Sequence, residues 1–224
     1  MIFLSKIRWV FVLVVLYTTA MAAEITEFSP GLLRYVESRW GSAAPAHLHD
    51  WHKELRKHLP SQKGAIPGPS ETMTDMEDFN FYWDNIRYYT DQKHWGVDDY
   101  WATPVEMLAS EGGDCEDYAI AKYFSLKALG IPVQNLRITY VRALRWNEAH
   151  MVLAYYPTPD ADPYILDNLT RAVLHASERT DLVPVYSFND DDLWAPGTIT
   201  AGGKSSQIRL WRVLLDKMAK ERNM

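Results

Sequence analysis

The chain has no second cysteine. Cys115 stands alone among 224 residues, so no internal disulfide can form, and the lone thiol needs another explanation. Excess positive charge is also missing: the formal net charge is −6 and no stripe of Lys and Arg appears, which argues against a surface for nucleic-acid phosphates. Long hydrophobic runs are scarce. The one apolar run, Trp9 to about Ala20, is shorter than the ~20 residues a membrane-spanning helix needs. It follows Lys6 and Arg8 and precedes the small-x-small triplet Ala20-Met21-Ala22, the layout of a secretory signal peptide. Residues 1–22 are therefore expected to be a cleaved leader, with an uncleaved N-terminal anchor as the alternative, and residues 23–224 a single domain outside the cytoplasm.

Aromatic residues, by contrast, are abundant. Nine Trp and thirteen Tyr predict a well-packed core. Helical spacing of Phe28, Leu32, Leu33, Val36 and Trp40 predicts a first helix; Leu48, Trp51, Leu55 and Leu59 predict a second, stopped by Pro60. Ser61–Ser70 reads as a loop, and a third helix is expected from Glu71 through Phe79, Trp83, Ile86 and Tyr89. Thr103-Pro104 predicts the cap and first residue of a short helix over Val105–Ala109, which Gly112-Gly113 separates from the next. That next helix opens at Asp114 and closes at Gly130-Ile131-Pro132. Alternating, β-rich runs follow at Leu136–Leu144, Ala149–Tyr156, Pro163–Leu169 and Ala172–His175, then a terminal helix over Gln207–Lys220. The fold class is α+β: N-terminal helices packed on an antiparallel β-sheet, with Cys115 at a helix N-terminus.

The position of Cys115 carries the functional reading. Unsatisfied N–H groups and the helix dipole at a helix start favour the thiolate, the nucleophilic form of cysteine. His150 falls on one predicted strand and Asp167 on the next, so adjacent antiparallel strands can bring them together on one face. In such a triad the imidazole takes the thiol proton and returns it to the leaving amine, while the carboxylate orients the ring. His94 and His175 are the alternative bases if the register differs.

The segment Gly112-Gly113-Asp114-Cys115-Glu116-Asp117-Tyr118-Ala119, with His150, Asp167 and the upstream Asp99-Tyr100-Trp101-Ala102-Thr103-Pro104, resembles the bacterial transglutaminase-like cysteine proteinases, specifically the periplasmic LapG protease family. The resemblance runs from about Phe79 through the C-terminal third and leaves the first helices uncovered. It implies a papain- or transglutaminase-like fold and the catalytic set Cys115, His150 and Asp167. It also implies a periplasmic, calcium-dependent endoprotease that cuts the N-terminal region of a large surface adhesin, at an Ala-Ala bond, and so releases cells from a biofilm. The implied regulatory partner is an inner-membrane cyclic di-GMP receptor of the LapD type, acting through its periplasmic domain.

Asp114, Glu116 and Asp117 admit two readings on their own. Acids in a first helical turn complement the dipole and cap free N–H groups. Packed around a thiolate, however, they oppose its ionisation, and a bound Ca2+, which accepts irregular cages of oxygen ligands, would relieve that penalty. The family resemblance favours calcium, with Asp114 and Glu116 the firmest ligands. The backbone N–H of Cys115 is the expected first oxyanion donor, with no second donor visible, and Trp101 reads as core. His47, His49 and His52, with His58 just beyond, invite a zinc reading, but the first three cannot all face one side of a helix, so a solvated face is expected instead. Asp190-Asp191-Asp192 reads as a solvated loop. Two competing functions use the same residues: acyl transfer to an amine, and a catalytically silent calcium- or peptide-binding module.

Overall fold

The computed structural model describes residues 27–59 and 66–224; the expected signal peptide lies outside them. No helix among the described residues is long and apolar enough to cross a membrane. In chain order the elements are α1 (Pro30–Trp40), α2 (Ala44–His58), α3 (Pro69–Asp84), β1 (Arg87–Tyr88), α4 (Asp91–His94), α5 (Pro104–Ser110), β2 (Gly112–Gly113) and α6 (Cys115–Ala128). Then come β3 (Leu136–Ala143), β4 (Glu148–Tyr155), β5 (Tyr164–Asp167), β6 (Thr170–His175), β7 (Leu182–Phe188), β8 (Asp192–Trp194), β9 (Gly203–Lys204) and α7 (Arg209–Arg222). Helices precede the sheet, and the class is α+β as expected.

The sheet runs β6-β5-β4-β3-β7-β8-β9 with every neighbouring pair antiparallel. Helix α6 lies between it and the N-terminal helices, packing on β4 and on α3. That position explains its composition. Ile120, Ala121, Tyr123 and Leu126 are fully buried, and its apolar residues surround the helix rather than marking one stripe. Ser125 bridges two tryptophans, accepting from the indoles of Trp51 and Trp83 at 3.0 Å each. The dense aromatic content thus serves the core, as read from the sequence.

Three expectations need correction. The third helix stops at Asp84 rather than reaching Tyr89: Asn85 turns its side chain back to the Phe81 carbonyl (2.8 Å), ending the last turn. The chain then extends so that Arg87 and Tyr88 pair in parallel with Gly112 and Gly113. The sheet also gains β7, β8 and β9, which the sequence reading left unassigned. Pro184 interrupts the β7 pattern, and the structure accommodates it where the β3–β7 register shifts, a bulge that does not need its missing N–H. The acidic run ends in a strand rather than a solvated loop. Asp190 accepts from the Tyr123 hydroxyl (2.9 Å) and pairs with Lys127, while Asp192 pairs with Lys204 (2.6 Å).

Candidate active site

The α6 start is built from glycine and aspartate. Asp114 is the extended N-cap and Asp117 closes a capping box with it, accepting from the Asp114 amide at 3.3 Å. The other Asp117 oxygen accepts from the Ala102 amide at 2.6 Å, which pins the 99–103 segment against the helix. Gly113 permits this closeness, since a Cβ there would lie 2.7 Å from Asp117 Oδ2 and 2.8 Å from its Cβ. Cys115 is the first residue of α6 and half-buried. Its backbone N–H belongs to the unsatisfied first turn and can serve as an oxyanion donor.

His150 and Asp167 come together through strand register. β4 pairs with β5 as Leu153↔Leu166 and Ala154↔Ile165, so Asp167 sits diagonally across from His150 on the same face. His150 Nε2 meets Asp167 Oδ1 at 2.7 Å. A carboxylate only accepts, so Nε2 carries the proton and Nδ1 is the nitrogen left to act as base. Asp167 is further held by the Leu169 amide (3.0 Å) and by Arg179 Nη2 (2.7 Å). Burial would raise its pKa, but the His150 contact, the Leu169 amide and Arg179 together hold it below the ordinary carboxylate range. Arg179 is itself gripped by both oxygens of Asp181 at 2.9 Å.

Cys115 and His150 line the same cleft, which continues on both sides of them. One arm, about 580 Å3, is acidic and carries Asp91, Asp98, Asp99 and Glu116. The other, about 360 Å3, is flanked by the exposed rings of Tyr88 and Trp146 and by Leu169. The thiol's hydrogen bond goes to Glu116 Oε2 at 3.0 Å, and not to the imidazole. Burial and the Glu116 carboxylate, with Asp114 behind it, push the Cys115 pKa well above its usual value.

The acids beside the thiol form two overlapping groups in which ligand atoms could meet on one cation: Asp91, Asp114 and Asp117, and Asp91, Asp99 and Glu116. Each of Asp114, Glu116 and Asp117 belongs to one of them. Asp91 belongs to both and was not singled out from the sequence, nor was Asp99; both lie upstream of the cysteine motif, and only the fold brings them to it. Burial and mutual repulsion drive the Asp114 pKa to about 10 and the Asp91 pKa to about 6. Asp117 is likewise raised well above the usual range by burial and the Glu116 charge. Asp91 Oδ1 and Asp114 Oδ1 are buried without a hydrogen-bond partner. Orphaned acceptors in an all-oxygen cluster fit a hard divalent cation such as Ca2+.

The alternative bases lie elsewhere. His94 Nε2 bonds Ser110 Oγ (2.8 Å), and His175 Nδ1 faces the Asp162 carbonyl (3.2 Å). Trp101 is buried and stacks on Phe188 at 5.7 Å, a core role, although it also lines the cleft. The early histidines are dispersed: His47 meets the Leu108 carbonyl, His52 stacks on Phe28, and His58 meets Asp75.

Comparison with known proteins shows the family. Residues 56–195 match the family described as bacterial transglutaminase-like cysteine proteinase. Three solved structures of LapG from Legionella pneumophila are similar. The EGTA-treated form is 37% identical, with 84% of this chain and 96% of that one covered and a TM-score of 0.72. A second LapG structure has the same identity and coverage at a TM-score of 0.70. The calcium-bound form is 38% identical, covering 84% and 97%, at 0.69. No curated protein gives a match.

Proposed function

Because the chain belongs to the bacterial transglutaminase-like cysteine proteinases and is a cysteine peptidase, we propose that it is a calcium-dependent periplasmic endoprotease with the triad Cys115, His150 and Asp167. Its substrate is the N-terminal region of a large cell-surface adhesin, cut at an Ala-Ala bond, so that cleavage frees the adhesin and disperses a biofilm. Control falls to an inner-membrane cyclic di-GMP receptor of the LapD type, which sequesters the enzyme through its periplasmic domain. The supporting observation is the convergence in one cleft of the lone thiol, at a helix N-terminus, with an imidazole bonded to a buried carboxylate at 2.7 Å.

The chain's residues account for both half-reactions. The Cys115 thiol releases its proton to His150 Nδ1, and the sulfur attacks the scissile carbonyl carbon. Negative charge on the carbonyl oxygen is received by the Cys115 N–H. His150 then protonates the departing amine, leaving a thioester. In the second half His150 takes a proton from water, the hydroxide adds to the thioester, and the proton returns to sulfur as the acid leaves. Asp167 stabilises the imidazolium in both halves and fixes the tautomer. Asp91, Asp99, Asp114, Glu116 and Asp117 are the residues that would hold calcium. Bound there, Ca2+ supplies positive charge that offsets the crowded carboxylates and favours the thiolate. Small residues on each side of the scissile bond would pass between the Tyr88 and Trp146 rings that line the cleft.

The test is cleavage of an adhesin's N-terminal fragment by residues 23–224, with calcium, with EGTA, and with Cys115→Ala. Cleavage confined to the intact enzyme with calcium is expected. Cleavage that survives chelation would remove the calcium dependence, and cleavage by Cys115→Ala would remove the nucleophile.

A further inference from the structure

The sheet has two apolar faces. Leu136, Ile138, Met151, Leu153 and Leu166 join the helices in the main core. On the other face Val141, Val152, Ala154 and Ile165 form a separate cluster, and above it lies a cavity of about 400 Å3. Its walls include the 159–163 and 195–199 segments. None of the residues lining the Cys115 cleft on its acidic side reaches it except Tyr186.

Two buried arginines line this mainly apolar space, Arg137 and Arg179, 4% and 6% exposed. The Arg137 guanidinium is stacked between the rings of Tyr156 and Trp194, at 4.2 and 4.1 Å. Both of its faces are therefore covered, and only its edge can take a polar partner. That edge is served only by neutral groups: Nη1 reaches the Thr198 carbonyl at 3.5 Å, the Tyr156 hydroxyl lies beside the guanidinium, and Nε has no partner. Among the described residues no carboxylate pairs with Arg137. Arg179 spends Nε and Nη2 on Asp181 and Asp167, while its Nη1 is buried without a partner. Orphaned cationic donors at the border of an apolar cavity are unusual, because buried donors ordinarily find acceptors. The one acid of the lining, Asp160, is exposed at the mouth and bonded to Thr158 (2.8 Å).

We propose that this cavity binds a small organic acid, its carboxylate received by the guanidinium edge of Arg137 and its apolar body lying on Val152, Ala154 and Ile165. The volume matches the lower range of small-molecule pockets, and an apolar lining with few convergent polar groups is their usual composition. A carboxylate supplies the missing acceptors, and arginine's planar fork suits its two oxygens.

The experiment uses residues 23–224 with octanoate as probe and octanol as the uncharged control, read by isothermal titration and by the thermal midpoint. Octanoate is expected to bind saturably and raise the midpoint, with octanol at least tenfold weaker. Arg137→Met should weaken octanoate at least tenfold. Ala161→Trp, which fills the mouth from a half-buried wall position, should do the same without touching a charge, so the proposal stays testable even if Arg137→Met fails to fold. Arg179 is left intact because it also holds Asp167. Equal binding of octanol, wild-type affinity in a folded variant, or no binding by the wild type would overturn the proposal. The readout is independent of peptide cleavage, so failure here and failure of the protease reading are distinguishable.

Discussion

Asp167 is buried between His150 and Arg179, and its ionised state depends on both. Replacing it with Asn keeps the shape but loses the negative charge that fixes the tautomer, so kcat should fall on the order of 10²- to 10⁴-fold with folding retained, as peptide turnover and circular dichroism would record. Arg179→Met leaves the carboxylate buried with one cation gone, a change expected to cost about 3–5 kcal/mol in denaturant unfolding at neutral pH. The sign with pH follows from the lowered pKa of Asp167. Its ionisation stabilises the fold above the unfolded carboxylate value, and that contribution is lost as pH falls through the lower folded value. The Arg179→Met deficit should therefore shrink in acid; a deficit that grows there would contradict the assignment. The proposed nucleophile and its histidine were legible because glycines, aspartates and strand patterns surround them. Arg179 was not, since nothing local distinguishes it and only the connection between β6 and β7, which carries it, brings it to Asp167.

At the level of elements, the β2–α6 junction depends on the absence of side chains. Gly113→Ala would drive a Cβ into Asp117, and the resulting strain should cost about 1–3 kcal/mol by urea unfolding; a neutral effect would show that the capping box can shift. Helix α7 is tied to α5 by Glu221, which accepts from the Thr103 hydroxyl at 2.6 Å. Burial raises the Glu221 pKa to about 7. The raised value means that stability is full below the unfolded carboxylate pKa and falls as pH rises toward about 7. Glu221→Gln should flatten the thermal midpoint over that window, and an unchanged slope would assign the dependence elsewhere. Most helices were readable from caps and apolar spacing: Thr103-Pro104 and the glycine pair marked α5 and α6 where they stand. β7 to β9 were not, because a proline at a bulge and an acidic run both mimic loop signals. β7 takes its strand character from pairing with β3, a long-range contact that no local window contains, and β8 and β9 then add to β7 in turn.

For the whole molecule, the fold gathers five acids from three separate segments beside one thiol: Asp91 from α4, Asp99 from the following loop, and Asp114, Glu116 and Asp117 from the start of α6. The sequence motif revealed only the last three, because the other two are distant in the chain and become ligand candidates through packing. Removing calcium should destabilise the protein by mass action, about 2.7 kcal/mol relative to a solution at one hundred times the dissociation constant. Scanning calorimetry with calcium and with EGTA would show this as a lower midpoint, and equal midpoints would count against a calcium site. Because Cys115 is the only cysteine, alkylation reports on the proposed nucleophile alone. The rate of its reaction with iodoacetamide at neutral pH, in calcium, should be at least tenfold faster in the wild type than in His150→Ala, and equal rates would contradict a thiol activated by this histidine.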